Sequence, residues 1–569
     1  MTTIKLTDYI IEFLISKGCD TLFGYPGGVI CHFMDSASKY KKKICLNVNY
    51  HEQASAFAAC SYAQAKHTIG VAFATSGPGA TNLLTGIANA WFDSIPVMFF
   101  TGQVDTYATK DTLNIRQRGF QETDIVSITT PITKYSTRIN NAEDIEYELQ
   151  KAYFMATSGR KGPVLIDLPA DIQRAIVKKN SLKKFKIPKL TSNYNIRTIV
   201  KLINNARRPI ILAGAGINQA NARQELKLLA ETLNIPVVTS MPAYDLLPYN
   251  HYLQNGFIGV NGHRYGNLLF AKADLVICLG SRLDIKQIGL NRKLFNPKTK
   301  LIRVDIDTSE LNYAVSKDEV LIQDDVKKFL GKLISQKFSF THRDSTWCKF
   351  AQNIKNKLQF VNDTESAHHF IRKISKILPQ KTNYTLDVGQ NEVWAVQSLE
   401  LKENQRIYMS AGLGTMGYAL PAAIGVYYAT QKPVVALVGD GGFQMNIQEL
   451  QFIAKNKLPI TILIFNNESL GMIRQFQERN FNANYVSTTF KSGYSNPDFE
   501  KIAKAYNFKY KFVEKIKQIN KKLLELDTNK IIEIKISNRT HLLPYFGKEV
   551  LFDQEPKIDR KIYNEIEIY

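Results

Sequence analysis

The stretch VVALVGDGGFQMNIQELQFIAKNKLPITILIFNN, Val434 to Asn467, holds two short runs rich in Val, Ile and Leu, each stopping abruptly at oxygen ligands. The first stops at Asp440, set between glycines, and the second at the amides Asn466 and Asn467. Short apolar runs bounded by turn residues read as buried strands. Between them Phe443, Ile447, Leu450 and Ile453 recur at helical spacing, which predicts a strand, helix, strand unit. Such a crossover normally makes its two strands parallel. Asp440 and Asn467 then share the carboxyl-terminal edge of one sheet, where open α/β sheets bind their ligands.

An oxygen-seeking octahedral cation such as Mg²⁺ is usually held by few protein groups together with phosphate oxygens and water. One carboxylate, one amide oxygen and a nearby backbone carbonyl leave room for two phosphate oxygens. Gly441 and Gly442 let backbone N–H groups approach those phosphates at the helix start. The plainer alternative is that Asp440 caps the helix and the glycines only make the turn.

At 569 residues the chain should hold three or four domains and can bury large cores. It has no run of eighteen or more apolar residues, so no membrane span is expected. The opening segment, with Leu6, Ile10, Phe13 and Leu14 interrupted by Asp8 and Glu12, reads as an amphipathic helix rather than a signal peptide. Cys19, Cys31, Cys45, Cys60, Cys278 and Cys348 include no C-x-x-C pair and suit reduced packing residues in a cytoplasmic protein. The net charge of +22 fits an attraction for anionic substrates or a Lys-rich surface. The basic clusters Lys39–Lys43 and Lys183–Lys186 have no nucleic-acid motif around them, so no nucleic-acid partner is expected.

Three α/β regions follow one another along the chain. In the first, NYHEQASAFAACSYAQA places His51 and Glu52 after a strand-like run and before a helix of small apolar residues. Glu52 reads either as an acid in the first turn of a helix or as a buried catalytic carboxyl. ATSGPGATN, Ala74 to Asn82, is a strand turning into a helix through a Gly and Pro turn, an ordinary tight turn or a close approach to a flat ligand.

YPGG, HEQ, TSGPGATN, TGQV, FQET, GPVLIDLP, DVGQ, GLGTMGYALPAAIG and the GDG-to-NN unit together resemble the acetohydroxyacid synthase (acetolactate synthase) branch of the thiamine-diphosphate enzymes. The likeness runs in order from near Leu6 to about Phe508. It implies an α/β fold of three consecutive doubly wound parallel-sheet domains: 1–178 for the pyrimidine, 190–340 of central FAD-binding type, and 362–540 for diphosphate and Mg²⁺, with a tail at 541–569. It also implies a homodimer at least, the cofactor lying between subunits. The glutamate matching Glu52 bonds the pyrimidine ring and promotes loss of the thiazolium proton, after which the cofactor adds to a 2-keto acid and takes up the electrons released with CO2.

By the same matching, Asp440, Asn467 and the Ser469 carbonyl hold Mg²⁺, while Gln390, Gly441 and Gly442 contact the diphosphate. Met416 props the bent cofactor, and Pro26, Gly27, Thr75, Pro78, Asn82, Val388, Gly414 and Met472 complete its surroundings. Gly214, Ala215, Gly216, Gly280, Ser281, Arg282, Asp305, Ile306, Asp325 and Arg160 match positions that hold FAD. Gly28, Gln103, Lys286 and Phe476 fall on the substrate side.

The departures from the family pattern cluster on the acceptor side. Pro242 and Ala243 stand where Lys-Gly is usual, Lys286 where an Arg binds the substrate carboxylate, Phe476 where a Trp selects the larger acceptor, and Asn391 where a His is usual. Lys still attracts a carboxylate but lacks the bidentate fork of Arg. The expectation is therefore pyruvate as donor and an altered acceptor: foremost a nucleotide-linked keto-deoxysugar, as in flavin-containing carboligases of branched-sugar (yersiniose-type) biosynthesis. The alternatives are a second pyruvate, giving acetolactate, and a cofactor-binding protein without catalysis, against which the intact Glu52 argues.

Overall fold

The computed structural model describes residues 3–188, 194–290, 299–340, 342–359, 367–546 and 553–567. It contains three six-stranded sheets, every ladder of which is parallel, and one small antiparallel pair, Thr3–Lys5 with Ile176–Lys178. Strands such as Val97–Gln103, Val164–Pro169 and Ile460–Asn466 are buried along nearly their whole length. They lack polar alternation because helices cover both faces of a parallel sheet.

Strand order decides where each sheet can hold a ligand. Counting strands along the chain within each sheet, the first and third sheets both run 2-1-3-4-6-5, whereas the central sheet runs 3-2-1-4-5-6. The order reverses beside the first strand in every case, and the crevice outside the carboxyl ends at that point is where such sheets bind. In the first sheet the flanking strands are Thr21–Gly24 and Gly70–Ala74, leading into Pro26, Gly27 and Thr75. In the central sheet they are Pro209–Ala213 and Leu275–Leu279, leading into Gly214 and Gly280. In the third they are Asn383–Leu386 and Val434–Gly439, leading into Gln390 and Asp440. The 3-2-1-4-5-6 order of the central sheet is that of dinucleotide-binding folds.

Helix Glu52–Lys66 packs on helix Ala419–Thr430, joining the first and third sheets through one continuous apolar core. The approach is backbone-close. A Cβ on Gly425 would lie 2.0 Å from the Ala58 carbonyl oxygen, and Ser61 Oγ donates to the Ala422 carbonyl at 2.8 Å. Glu449 reinforces the seam by accepting from Asn49 Nδ2 at 2.9 Å and from the Tyr50 N–H at 2.8 Å.

The single helix expected after Asp440 is two, Asp440–Met445 and Glu449–Lys455. Asn446 leaves helical geometry between them, at φ −133°, and its amide donates to the Gly417 carbonyl at 2.8 Å and to Gln53 Oε1 at 3.3 Å. That side-chain bonding, chiefly to Gly417 within the same domain, accompanies the break in the helix. The opening segment forms helix Leu6–Ser16, as its apolar stripe predicts. All six cysteines are free thiols, and no helix among the described residues is long and apolar enough to cross a membrane.

The segment after residue 540 packs against the body. Gln475 Nε2 donates to the Leu542 carbonyl, the Leu542 N–H donates to Gln475 Oε1, and Arg264 donates to the carbonyls of Gln554 and Pro556. Ile558 and Ile566 enter the central core beside Trp347.

Because the helix seam has no room for a methyl group, Gly425→Ala should lower stability by about 1–3 kcal/mol, the cost of overpacking. Urea unfolding checks this, and a midpoint equal to wild type would mean the two helices lie further apart than described.

Candidate active site

Three groups of residues gather at the three strand-order reversals. At the third sheet, strand Val434–Gly439 delivers Asp440 and strand Ile460–Asn466 delivers Asn467, in parallel register with Gly439 opposite Phe465. Asp440 Oδ2 and Asn467 Oδ1 both accept from the Ser469 N–H, each at 3.2 Å, so the carboxylate and the amide oxygen converge on one point. Glu468 sits between them at φ +52°, the left-handed geometry that folds Ser469 back over the strand end. Asn496 Nδ2 braces the pair, donating to Asp440 Oδ2 at 2.9 Å and to Asn466 Oδ1 at 2.7 Å.

Burial pushes the Asp440 carboxyl up to about 6, against the lowering effect of Asn496 and the nearby N–H donors. A cation at this point would favour its ionised form. Ser469 Oγ is buried without a hydrogen-bond partner. No cluster of three His, Cys, Asp or Glu among the described residues could hold a metal by itself. The oxygen set here has one carboxylate, as suits a Mg²⁺ ion that takes its remaining ligands from phosphate and water.

Gly442 is required by its neighbours, and Gly441 is closely surrounded by side-chain ends. A Cβ on Gly441 would meet Leu470 Cδ2 at 2.8 Å and Met416 Cε at 3.4 Å, and one on Gly442 would meet Asp387 Oδ1 at 2.5 Å. Gln390 joins the group from the adjacent helix: its Oε1 accepts from Asn467 Nδ2 at 3.3 Å, and its Nε2 donates to Gln475 Oε1 at 2.7 Å and to the Thr540 carbonyl at 3.3 Å. A hydrogen-bonded line thus runs from residues 540–542 to Asn467.

At the first sheet Glu52 opens its helix, 8% exposed, behind the N-cap His51 whose ring accepts from the Gln53 N–H. Asn82 Nδ2 donates to Glu52 Oε2 at 3.0 Å. Oε1 faces Gly79, where a Cβ would approach to 3.2 Å. Gly27 lies against Thr75, whose hydroxyl is buried without a partner, while Pro26, Gly28 and Pro78 are exposed around the crevice. Gln103 is occupied internally: its amide donates to the Thr123 carbonyl and Asp167, and accepts from the Val104 N–H.

At the central sheet, Gly214 and Gly280 nearly touch, since a Cβ on Gly214 would lie 2.1 Å from the Gly280 carbonyl oxygen. A cavity of about 720 Å³ opens from these loops. Ala215, Gly216, Gly280, Ser281, Arg282, Asp305, Ile306, Asp325 and Arg160 line one end, and Val388, Gly414 and Met472 the edge of the third domain. Its size suits a large organic ligand, and the dinucleotide strand order and side-chain-free loops suit FAD. Several polar groups there already have partners. Arg160 bonds Asp307 and Glu310, Asp325 caps helix Val326–Ile334, and Arg282 pairs with Asp284.

On the acceptor side, Lys286 lines the cavity from a short helix capped by Asp284. Phe476 is 56% exposed, edge-on to Phe481, and does not line it. Sequence reading missed Asn496, Glu449 and Glu392. For Asn496 the Asn-Pro turn signal in YSNPDF was the one available clue, and nothing local tied it to Asp440.

Comparison with known proteins supplies the family context. Residues 4–128 match the family described as thiamine pyrophosphate enzyme, N-terminal TPP binding domain, residues 196–333 its central domain, and residues 387–532 its C-terminal TPP binding domain. The chain is 33% identical over 547 residues to the acetolactate synthase large subunit of Lactococcus lactis, covering 94% of this chain and 93% of that protein. It is 35% identical over 547 residues to the probable acetolactate synthase large subunit of Methanocaldococcus jannaschii, covering 92% and 90%. With the acetolactate synthase large subunit of Corynebacterium glutamicum it shares 36% identity over 505 residues, covering 86% and 79%.

The oxygen set predicts a cation bound weakly alone and more tightly with a diphosphate. In Mn²⁺ titrations followed by electron paramagnetic resonance with thiamine diphosphate present, Asp440→Ala should abolish tight binding. Asn496→Ala, which removes only the brace, should weaken it by about 10–100-fold. Unchanged affinity in Asp440→Ala would exclude this point as the cation site.

Proposed function

Since the chain belongs to the acetolactate synthase branch of the thiamine-diphosphate enzymes, we infer that it decarboxylates pyruvate and joins the remaining two-carbon unit to a second pyruvate, giving acetolactate. Two pyruvates and one proton yield one acetolactate and one CO2. The full-length likeness to acetolactate synthase large subunits carries this reading. The keto-deoxysugar acceptor expected from the altered acceptor residues finds no support in the comparisons and is replaced by the second pyruvate.

The residues fit the cofactors in named roles. Asp440, the side-chain amide of Asn467 and the Ser469 carbonyl would hold Mg²⁺, and the backbone at Gly441 and Gly442 with Gln390 would hold the diphosphate. When bound, thiamine diphosphate supplies the carbon that adds to the ketone and the ring that takes up electrons as CO2 leaves. Glu52 would exchange a proton with the pyrimidine, and its Oε1, which Asn82 leaves free, is the oxygen placed to do so. Met416, which lies against Gly441, would support the cofactor from that side, and Pro26, Gly27, Thr75, Pro78, Val388, Gly414 and Met472 would surround it. FAD would occupy the cavity at Gly216, Gly280 and Asp305. Lys286 attracts the carboxylate of the keto acid, with Gly28, Gln103 and Phe476 as the other substrate-side positions.

One chain does not complete the site. Neither Glu52 nor Asp440 lines the cavity that Val388, Gly414 and Met472 reach. Large apolar side chains are exposed in both the first and the third domain, among them Tyr107, Leu113 and Phe120 in the one and Ile473, Phe476 and Phe481 in the other. A second copy would cover them, bringing its own Glu52 to this Asp440.

With pyruvate, Mg²⁺, thiamine diphosphate and FAD, acetolactate should form at the rate of CO2 release. CO2 without acetolactate would overturn the assigned acceptor. Glu52→Gln should reduce pyruvate turnover by about 10²–10⁴-fold, and a variant as fast as wild type would remove Glu52 from the mechanism. Co-expressing Glu52→Gln with Asp440→Asn should restore about a quarter of wild-type activity, since half of randomly paired dimers carry one intact site. Absence of recovery in a verified mixed dimer would place both groups in one chain's site.

A further inference from the structure

Three carboxyl groups lie near the third-domain end of the cavity, close enough for Asp93 and Asp387 to act electrostatically on Glu392, and those two are satisfied by the fold. Asp93 accepts from the N–H groups of Ala411 and Gly412, at 3.1 and 2.7 Å. Asp387 accepts from the N–H groups of Gly417 and Ala419, both at 3.0 Å. The third, Glu392, lies in the first turn of helix Gln390–Ser398, 6% exposed, and lines the cavity. Its Oε1 has no hydrogen-bond partner. An unpaired buried carboxyl oxygen is costly, and on a cavity wall this one is open to a partner that enters the cavity.

The charged groups facing Glu392 from the elements around it are Lys286, Asp387 and Asp93. Lys286 lines the same cavity and draws the carboxyl toward ionisation, while the two aspartates and above all burial act the other way. The balance pushes Glu392 up to about 8, so at neutral pH it carries its proton and can donate.

We propose that Glu392 is a ligand-binding residue of this cavity, its carboxyl group donating a hydrogen bond to a carbonyl oxygen of the molecule held there beside Lys286. The inference rests on the cavity being the cofactor and acceptor site described above. Two ligands offer that oxygen: FAD, through a ring carbonyl, and the acceptor keto acid, through its ketone, with Lys286 holding the adjacent carboxylate. A neutral donor suits both, because an ionised Glu392 would instead take Lys286 for itself and repel the keto acid.

Two variants separate the contact from the charge. Glu392→Gln keeps a donor of the same size and cannot ionise, and Glu392→Leu removes the donor and leaves no unsatisfied group. Titration of FAD into the full-length protein stripped of flavin, and the pyruvate KM at saturating FAD, are the two readouts. A dissociation constant for FAD raised about three- to tenfold in Glu392→Leu alone, with pyruvate KM unchanged, assigns the contact to the flavin. A KM raised by a similar factor with unchanged FAD affinity assigns it to the keto acid, and neither constant moving overturns the proposal.

The pH dependence tests the same contact without the leucine variant. The affected constant should worsen in wild type as pH rises through about 8, where Glu392 loses the donated proton, and stay level in Glu392→Gln. Identical profiles for the two proteins overturn the proposal. A chain that takes up no FAD would defeat the flavin reading while the pyruvate arm still decides Glu392, and a chain without turnover leaves the FAD arm to decide it.

Discussion

A parallel sheet covered on both faces leaves its polar chemistry one exit, the carboxyl ends of its strands, and strand order then decides where along that edge a crevice opens. The whole candidate site follows from that constraint applied three times. Each reversal of strand order receives a distinct set of residues: Gly27 and Thr75 in the first sheet, Gly214 and Gly280 in the second, Gln390 and Asp440 in the third. The two outer sheets share one order and the central sheet has another, and the difference parallels the division between the proposed thiamine diphosphate and dinucleotide sites.

The seam between the first and third domains fixes the outer pair relative to each other. Its closeness depends on small residues, with Ala58 and Ser61 facing Gly425, so the run of alanines in helix Glu52–Lys66 serves packing while its first residue is the one proposed for chemistry. Glu449 belongs to the same seam. Burial pushes its carboxyl up to about 7, and its bonds to Asn49 and Tyr50 lie just ahead of Glu52.

Much of this was legible in the sequence because strand ends are local signals. Asp440 and Asn467 announce themselves by terminating apolar runs, and a strand, helix, strand unit carries them to one edge whatever the rest of the chain does. Asn496 and Glu449 were not legible, since each acts on a partner distant in the chain: Asn496 sits in a segment without a periodic pattern, and the periodicity around Glu449 marks a helix without marking its bonds to Asn49 and Tyr50. The break at Asn446 was hidden for a similar reason: the spacing of Phe443, Ile447, Leu450 and Ile453 fits one helix, and a bond to Gly417 overrides it. Glu392 lay beside a recognised motif, and only its missing partner in the folded structure distinguishes it. The acceptor-side changes were visible but weighed toward a sugar, whereas the relatives are acetolactate synthases, and the charge that Lys286 keeps suits the proposed keto acid.

The line of hydrogen bonds from Leu542 through Gln475 and Gln390 to Asn467 has a consequence for how the protein is made. Translation runs from the amino end, so Asp440 and Asn467 leave the ribosome with Gln390 and Gln475 lacking their downstream partners. The amide of Gln390 gains the Thr540 carbonyl, and Gln475 gains Leu542, only when residues 540–542 emerge. Closure of the proposed cation pocket is thereby deferred until residues 540–542 have emerged, and until then the residues proposed to hold the metal stand in an unfinished frame.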